Sequence, residues 1–186
     1  GEIYNHWELR KKLTEYNFNS NSDTETLLYL FIKYGPDCLH ELDGMFAFAL
    51  WDMGKKKLFI ARDRLGVKPL YYCIKSDKLL FASEIKSILQ DLDIQRKLNY
   101  DALCQFVTYA YTIDGQTMFD GINELLPGHK LIFTFRDKNV KIEKYWDLQL
   151  TKNLQSDEEN LNTLRLLLES AVNKRMVSDA PLGALL

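Results

Sequence analysis

The stretch Met45-Phe46-Ala47-Phe48-Ala49-Leu50-Trp51, then Asp52-Met53-Gly54, then Leu58-Phe59-Ile60-Ala61 decides the fold. Both runs are apolar on consecutive residues, so a strand built from either buries both of its faces. Asp52-Met53-Gly54 reads as a turn, and the pair predicts an antiparallel hairpin. The arrangement repeats in Pro69-Leu70-Tyr71-Tyr72-Cys73-Ile74, a polar Lys75-Ser76-Asp77-Lys78 turn, and Leu79-Leu80-Phe81-Ala82. Short strands at this spacing predict a meander. A second sheet on one face and helices on the other would cover it, giving a layered α+β domain.

Toward the N-terminus, a short strand at 1–3 precedes a helix expected over 6–16, with Trp7, Leu9 and Leu13 striped among charges. Ser22-Asp23-Thr24-Glu25 has the capping-box spacing, and Leu27, Leu30, Phe31 and Tyr34 follow at helical intervals until Gly35-Pro36. Toward the C-terminus, residues 84–89 and 99–109 predict short helices, the second capped by Asn99. Pro127-Gly128 marks a turn, and 129–135 and 140–146 predict a hairpin. Residues 149–155 read as a polar linker. Ser156-Asp157-Glu158-Glu159 is a second capping box, opening a helix with Leu161, Leu164, Leu168, Ala171 and Arg175 on one face. The apolar run Pro181-Leu182-Gly183-Ala184-Leu185-Leu186 predicts a buried strand. The chain opens without Met and stops on that run, so both ends are expected to be cuts through something longer.

With 186 residues, 46% hydrophobic, the chain can bury the core of one domain or slightly more. A net charge of -2 with mixed signs gives no basic stripe for nucleic acid and no polybasic membrane patch. No apolar run approaches the roughly 20 residues of a membrane-spanning helix, and nothing resembles a signal peptide. Cys38, Cys73 and Cys104 are odd in number and widely spaced, which argues for reduced core thiols and a cytoplasmic location rather than disulfides or zinc. His6, His40 and His129 lack paired spacing and read as surface or core-satisfied histidines.

The segments GEIYNHWELRKKL, SDTETLLYLFIKYG, LDGMFAFALWD, ARDRLGVKPLYY, LLFASEIKSIL, LPGH, YWDL and VSDAPLGALL, in that order, resemble the glutamine-hydrolysing asparagine synthetases along essentially the whole chain. The resemblance implies a class II glutamine amidotransferase domain at 1–148, an N-terminal-nucleophile hydrolase with an αββα sandwich. It also implies a linker at 149–155 and, at 156–186, the first helix and strand of an α/β ATP-pyrophosphatase domain.

The family's catalytic Cys is the first residue of the mature chain, and its oxyanion-hole Asn directly precedes the GEIYNH motif. Both would lie before Gly1, so no catalytic residue is expected here. An N-terminal nucleophile is chemically economical because its own α-amine can act as the base. Free glutamine is a zwitterion, and a selective site offers carboxylates to its ammonium, since charge-assisted hydrogen bonds are the strong ones. By resemblance Gly1 gives a backbone contact to glutamine, Glu2 sits at the ammonium end, and Asp23 pairs with it. Taken alone, an acid at the position of Asp23 is more often only a helix-dipole residue, and Glu2 is a generic strand-end acid.

In the family VSDAPLGALL runs into a Gly-rich loop whose N–H groups take the pyrophosphate of ATP. Leu185 corresponds to the residue whose backbone meets the adenine, and on its own reads as a core leucine. The implied chemistry is glutamine hydrolysis, passage of ammonia to the second domain, activation of aspartate as β-aspartyl-AMP by ATP and Mg2+, and attack to give asparagine. Glutamine, aspartate and ATP are thus the implied small-molecule partners, with a homodimer left open as the assembly. No nucleic acid, membrane, metal or bound cofactor is expected for these 186 residues, nor any activity of them alone.

Arg62-Asp63-Arg64-Leu65-Gly66-Val67-Lys68-Pro69 reads as a solvated hairpin connection with Gly66 at positive φ and an internal Arg62–Asp63 ion pair. Residues 109–119 lack a proline usual in the family's loop, and Leu125-Leu126-Pro127 has one proline where two are common. These departures leave open an amidotransferase with another carboxylate acceptor; a free-standing, truncated chain acting as a non-catalytic glutamine-binding or interaction module is a separate alternative.

Overall fold

A computed structural model describes residues 1–75, 78–151, 156–176, 181 and 183. In chain order the elements are β1 (Glu2–Ile3), α1 (His6–Arg10), α2 (Asp23–Tyr34), a 3₁₀ turn (Gly35–His40), β2 (Gly44–Met45), β3 (Ala47–Asp52), β4 (Lys57–Arg62), β5 (Tyr71–Lys75) and β6 (Lys78–Ala82). They continue with α3 (Ile85–Ile88), α4 (Tyr100–Tyr109), β7 (Ile122–Glu124), β8 (His129–Thr134), β9 (Asn139–Lys144) and α5 (Asp157–Arg175). Every strand pairing is antiparallel, in sheets ordered β1-β2, β3-β4-β8-β9 and β6-β5-β7.

The doubly apolar runs are explained by three cores. Along β4, Phe59 and Ala61 face a core shared with Leu9, Leu27 and Leu30 of α1 and α2, while Leu58 and Ile60 face the opposite way. That second core lies between the sheets, where Ile60, Leu131 and Phe133 meet Leu70, Tyr72 and Leu79. On β5 the alternation continues: Tyr72 points into the inter-sheet core, Tyr71 and Cys73 into a third core with Ile85 and Ile88 of α3. The layers therefore run helix, sheet, sheet, helix. The periodicity alone placed helices on one outer face; the third core adds the second helical layer.

Other expectations shift locally. The helix expected over 6–16 ends at Arg10, and Leu13 is reached through tight i→i−3 turns that still bury it. Ser22 caps α2 through the N–H of Thr24, but Glu25 turns back to Asn19 and Ser20 instead of closing the box. The box at Ser156 and Glu159 is complete, yet no residue of α5 is buried. β7 and the 3₁₀ turn lack any strong periodic signal and were not anticipated. Positions 76 and 77 of the β5–β6 turn, most of the linker, and the 181–186 strand except Pro181 and Gly183 lie outside the described residues.

Candidate functional site

β1 is only two residues long, and a ladder this short does not hold itself. Glu2 faces Met45 and Ile3 faces Gly44 of β2. Burial alternates along β1, with Ile3 in the core and Glu2 exposed on the outer face. Gly44 is needed where the strands approach, because a Cβ there would stand 2.2 Å from the Glu2 carbonyl oxygen. A side chain on Gly1 would meet Met45 O at 2.9 Å and Phe46 Cα at 3.1 Å.

Three sets of contacts fix β1. Ile3 N donates to Asp23 Oδ2 at 3.0 Å, tying the strand to the first residue of α2. Tyr4 N donates to Asp43 O at 2.8 Å, while Asn5 accepts from Asp43 N and donates to Glu41 O. On the α2 side, Arg10 donates to Ser20 O and Ser22 O at 2.7 Å and to Thr26 Oγ1 at 2.8 Å, holding the turn that sets Asp23 in place. The structure thus brings Asp23 to the strand that carries Gly1 and Glu2. Asn5 and Arg10 were missed as site-builders; the signal available was a polar residue at a strand-to-helix junction and an arginine inside the GEIYNHWELR segment.

The Arg62-to-Pro69 segment departs from expectation. Gly66 has the anticipated positive φ of 67°, but Arg62 does not pair with Asp63. It is buried, donates to the carbonyls of Lys68, Leu125 and Gly66, and forms its ion pair with Glu124 at 2.7 Å. Asp63, also buried, accepts backbone N–H groups instead.

Cys38 and Cys73 are buried and Cys104 is exposed, correcting the expectation of three core thiols. Burial pushes the Cys38 thiol up to about 12, where it is an inert hydrophobe rather than a nucleophile. His6 is buried at 8% exposure and its Nδ1 has no hydrogen-bond partner among the described residues, so it matches neither the surface nor the satisfied core histidine expected. Leu185 lies outside the described residues. Among the described residues no three His, Cys, Asp or Glu side chains gather to hold a metal, and no helix is long and apolar enough to cross a membrane. A cleft of about 650 Å³ between α2 and the β3–β4 hairpin, lined by Leu28, Phe31, Trp51 and Lys57, contains none of Gly1, Glu2 and Asp23.

The chain is similar to known proteins in sequence and in fold. The chain is 40% identical over 184 residues to asparagine synthetase [glutamine-hydrolyzing] 3 of Bacillus subtilis, covering 97% of this chain and 30% of that protein. It is 36% identical over 188 residues to the amidase chyE of Penicillium rubens, covering 98% of this chain and 27% of that protein. The chain therefore spans less than a third of either relative. Among solved structures, the glutamine phosphoribosylpyrophosphate amidotransferase of B. subtilis aligns over 77% of this chain and 27% of its own, with a TM-score of 0.50 and 23% identity. That likeness shows the fold, a layered helix–sheet–sheet–helix sandwich. A family model of the glutamine amidotransferase domain matches residues 1–146, which hold the nine strands found among the described residues. With helix–sheet–sheet–helix layers and a β1–β2 edge tied to Asp23, this chain belongs to the glutamine amidotransferase domain family.

Proposed function

We propose that the chain supplies the ammonium-binding side of a glutamine site and works within an asparagine synthetase-type polypeptide. The observation that carries this is the Ile3 to Asp23 bond, which sets a helix-start carboxylate beside the strand bearing Gly1 and Glu2. In this reading Gly1 meets glutamine through its backbone, Glu2 sits at the ammonium end, and Asp23 pairs with the ammonium. A cysteine thiolate outside these residues attacks the γ-carboxamide carbon and expels ammonia, and water then releases glutamate. Residues 1–148 form this domain, 149–155 the linker, and 156–186 the start of the synthetase domain, with Leu185 at the adenine.

Ammonia then amidates aspartate activated by ATP. No step in this domain runs through ATP or Mg2+. A cytoplasmic location and a homodimeric assembly complete the reading. The 36% identity to an amidase favours a second reading of the acceptor, in which another carboxylate replaces aspartate.

The test supplies the full-length polypeptide with glutamine, aspartate, ATP and Mg2+. Glutamate, asparagine, AMP and pyrophosphate appearing in equal amounts is the expected result. Glutamate without asparagine removes aspartate as acceptor, and absence of glutamate removes the amidotransferase reading. The 186-residue chain alone is expected to release no glutamate.

A further inference from the structure

We propose that Asp63 is a positioning residue of the glutamine site, setting β1 and β2 through Phe46 without touching substrate. The proposal rests on the reading of Gly1, Glu2 and Asp23 given above. Asp63 is 1% exposed. Its Oδ1 accepts from Leu65 N at 3.2 Å and Val67 N at 2.9 Å, and its Oδ2 from Lys68 N at 3.0 Å and Phe46 N at 3.2 Å. None of the four donors is a cation; oriented amides alone compensate the buried carboxylate. Three of those amides belong to its own turn, where they fold the segment into an anion nest. The fourth is 17 residues away.

Phe46 is the single residue between β2 and β3. It exchanges two hydrogen bonds with Asp63: its N–H reaches Oδ2, and its carbonyl accepts from Asp63 N at 2.8 Å. On one side Met45 pairs with Glu2 across β2–β1; on the other Ala47 pairs with Arg62 at the end of β4. Phe46 is therefore the hinge by which a two-residue ladder hangs from the four-stranded sheet, and Asp63 clamps that hinge from both backbone groups. Gly1 rests on the same hinge, close to Phe46 Cα. A one-residue swing there moves Gly1 and Glu2 away from Asp23, whose own position is set from the α2 side by Arg10. The site thus depends on two anchors from separate parts of the chain, and Asp63 is one of them.

An asparagine at 63 presents one acceptor and one donor, so it opposes at least one of the four N–H groups. The experiment compares glutamate release by the full-length polypeptide with Asp63→Asn, Asp63→Glu, Asp23→Asn, and Ile88→Val and Ile88→Ala as controls. Ile88, on α3, lies in the far core with Cys73, Ile94 and Ile122, and its variants reproduce a loss of melting temperature without touching the hinge. Asp63→Asn is expected to raise the glutamine KM about tenfold with kcat changed by less than about threefold, the size of one charge-assisted bond. Asp63→Glu, which keeps the charge but displaces it, raises KM by a smaller factor. If Asp23→Asn raises KM while Asp63→Asn behaves like the Ile88 controls, the positioning role is wrong and the site stands. If Asp23→Asn leaves KM unchanged, the site reading itself fails. If neither Asp63 variant folds, Asp63 serves the fold alone and the proposal is overturned.

Discussion

Asp23 Oδ2 accepts the N–H of Ile3 across 3.0 Å, so the acid that opens α2 also fastens the edge strand carrying Glu2. A helix-dipole role and a ligand role, which compete for Asp23 in the sequence, are thereby compatible: one oxygen faces the strand, and the charge stays at the helix start. Asparagine keeps an acceptor for Ile3 but loses the charge, whereas alanine loses both. Asp23→Asn is expected to melt within a few degrees of the parent yet raise the glutamine KM of the full-length polypeptide more than about tenfold. Asp23→Ala is expected to lose about 1–2 kcal/mol of stability as well. Thermal melting and glutamine kinetics read the two effects separately.

Gly44 gives a second check on the same edge. A Cβ at this position would lie 2.2 Å from Glu2 O and 2.9 Å from Ile3 Cα, and both are backbone atoms that cannot rotate away. Gly44→Ala should force β1 off β2, costing about 1–3 kcal/mol by overpacking and weakening glutamine binding together with stability. Urea denaturation paired with a glutamine titration would show both; a variant as stable as the parent would mean that β1 does not pack here.

Much of this architecture is legible in the sequence because strand period and apolar runs speak about the same thing. Phe59 and Ile60 are adjacent and both buried, as in a short strand between two cores, and the flanking turn signals favour a strand over a buried helix. The hairpin of β8 and β9 and the caps at Asn99 and Ser156 likewise follow from local chemistry. What local chemistry does not contain is the partner of a buried charge. Arg62 and Asp63 are neighbours, which suggests a pair, but Arg62 closes β4 while Asp63 begins the turn after it and is bound to that turn's N–H groups. Arg62 instead meets Glu124, on a three-residue strand 62 positions away that has too few residues for a periodic signal. The link from Ile3 to Asp23 is similarly non-local, and the family motif, not periodicity, points to Asp23.

Arg62 shows the cost of a lone substitution in such a network. Its guanidinium, 5% exposed, serves three carbonyl oxygens and Glu124 at once. Lysine carries the charge but cannot reach the same fork of acceptors. Arg62→Lys is expected to destabilise by about 2 kcal/mol, and Arg62→Met, which strands Glu124 and three carbonyls, by about 3–5 kcal/mol. Glu124 is one-third exposed in its side chain, so Glu124→Gln should cost less than either. Equilibrium denaturation of the three variants ranks them; equal losses would mean that the carbonyl contacts contribute nothing.

The buried thiol of Cys38 makes stability pH-dependent on the alkaline side. Burial raises it from an ordinary value of 9.0 to about 12, so the unfolded chain loses this proton near pH 9 while the folded chain keeps it. Below pH 9 both states are protonated and the stability is complete. Between pH 9 and about 12 the folded state binds more protons than the unfolded one, and stability falls with rising pH by up to about 1.4 kcal/mol per unit. The Tyr145 phenol, half-buried and donating to Arg62 O at 2.7 Å, is pushed up mainly by desolvation and adds to the slope above its ordinary value of 10.0. Urea denaturation at pH 8, 9 and 10 should show the decline, with Cys38→Ala flattening part of it. In the native chain at pH 8 a thiol reagent should modify Cys104 and leave Cys38 and Cys73 untouched, following their exposure. Rapid labelling of Cys38, or an alkaline slope that Cys38→Ala leaves unchanged, would show that the core around α2 and the 3₁₀ turn opens far more readily than its packing implies.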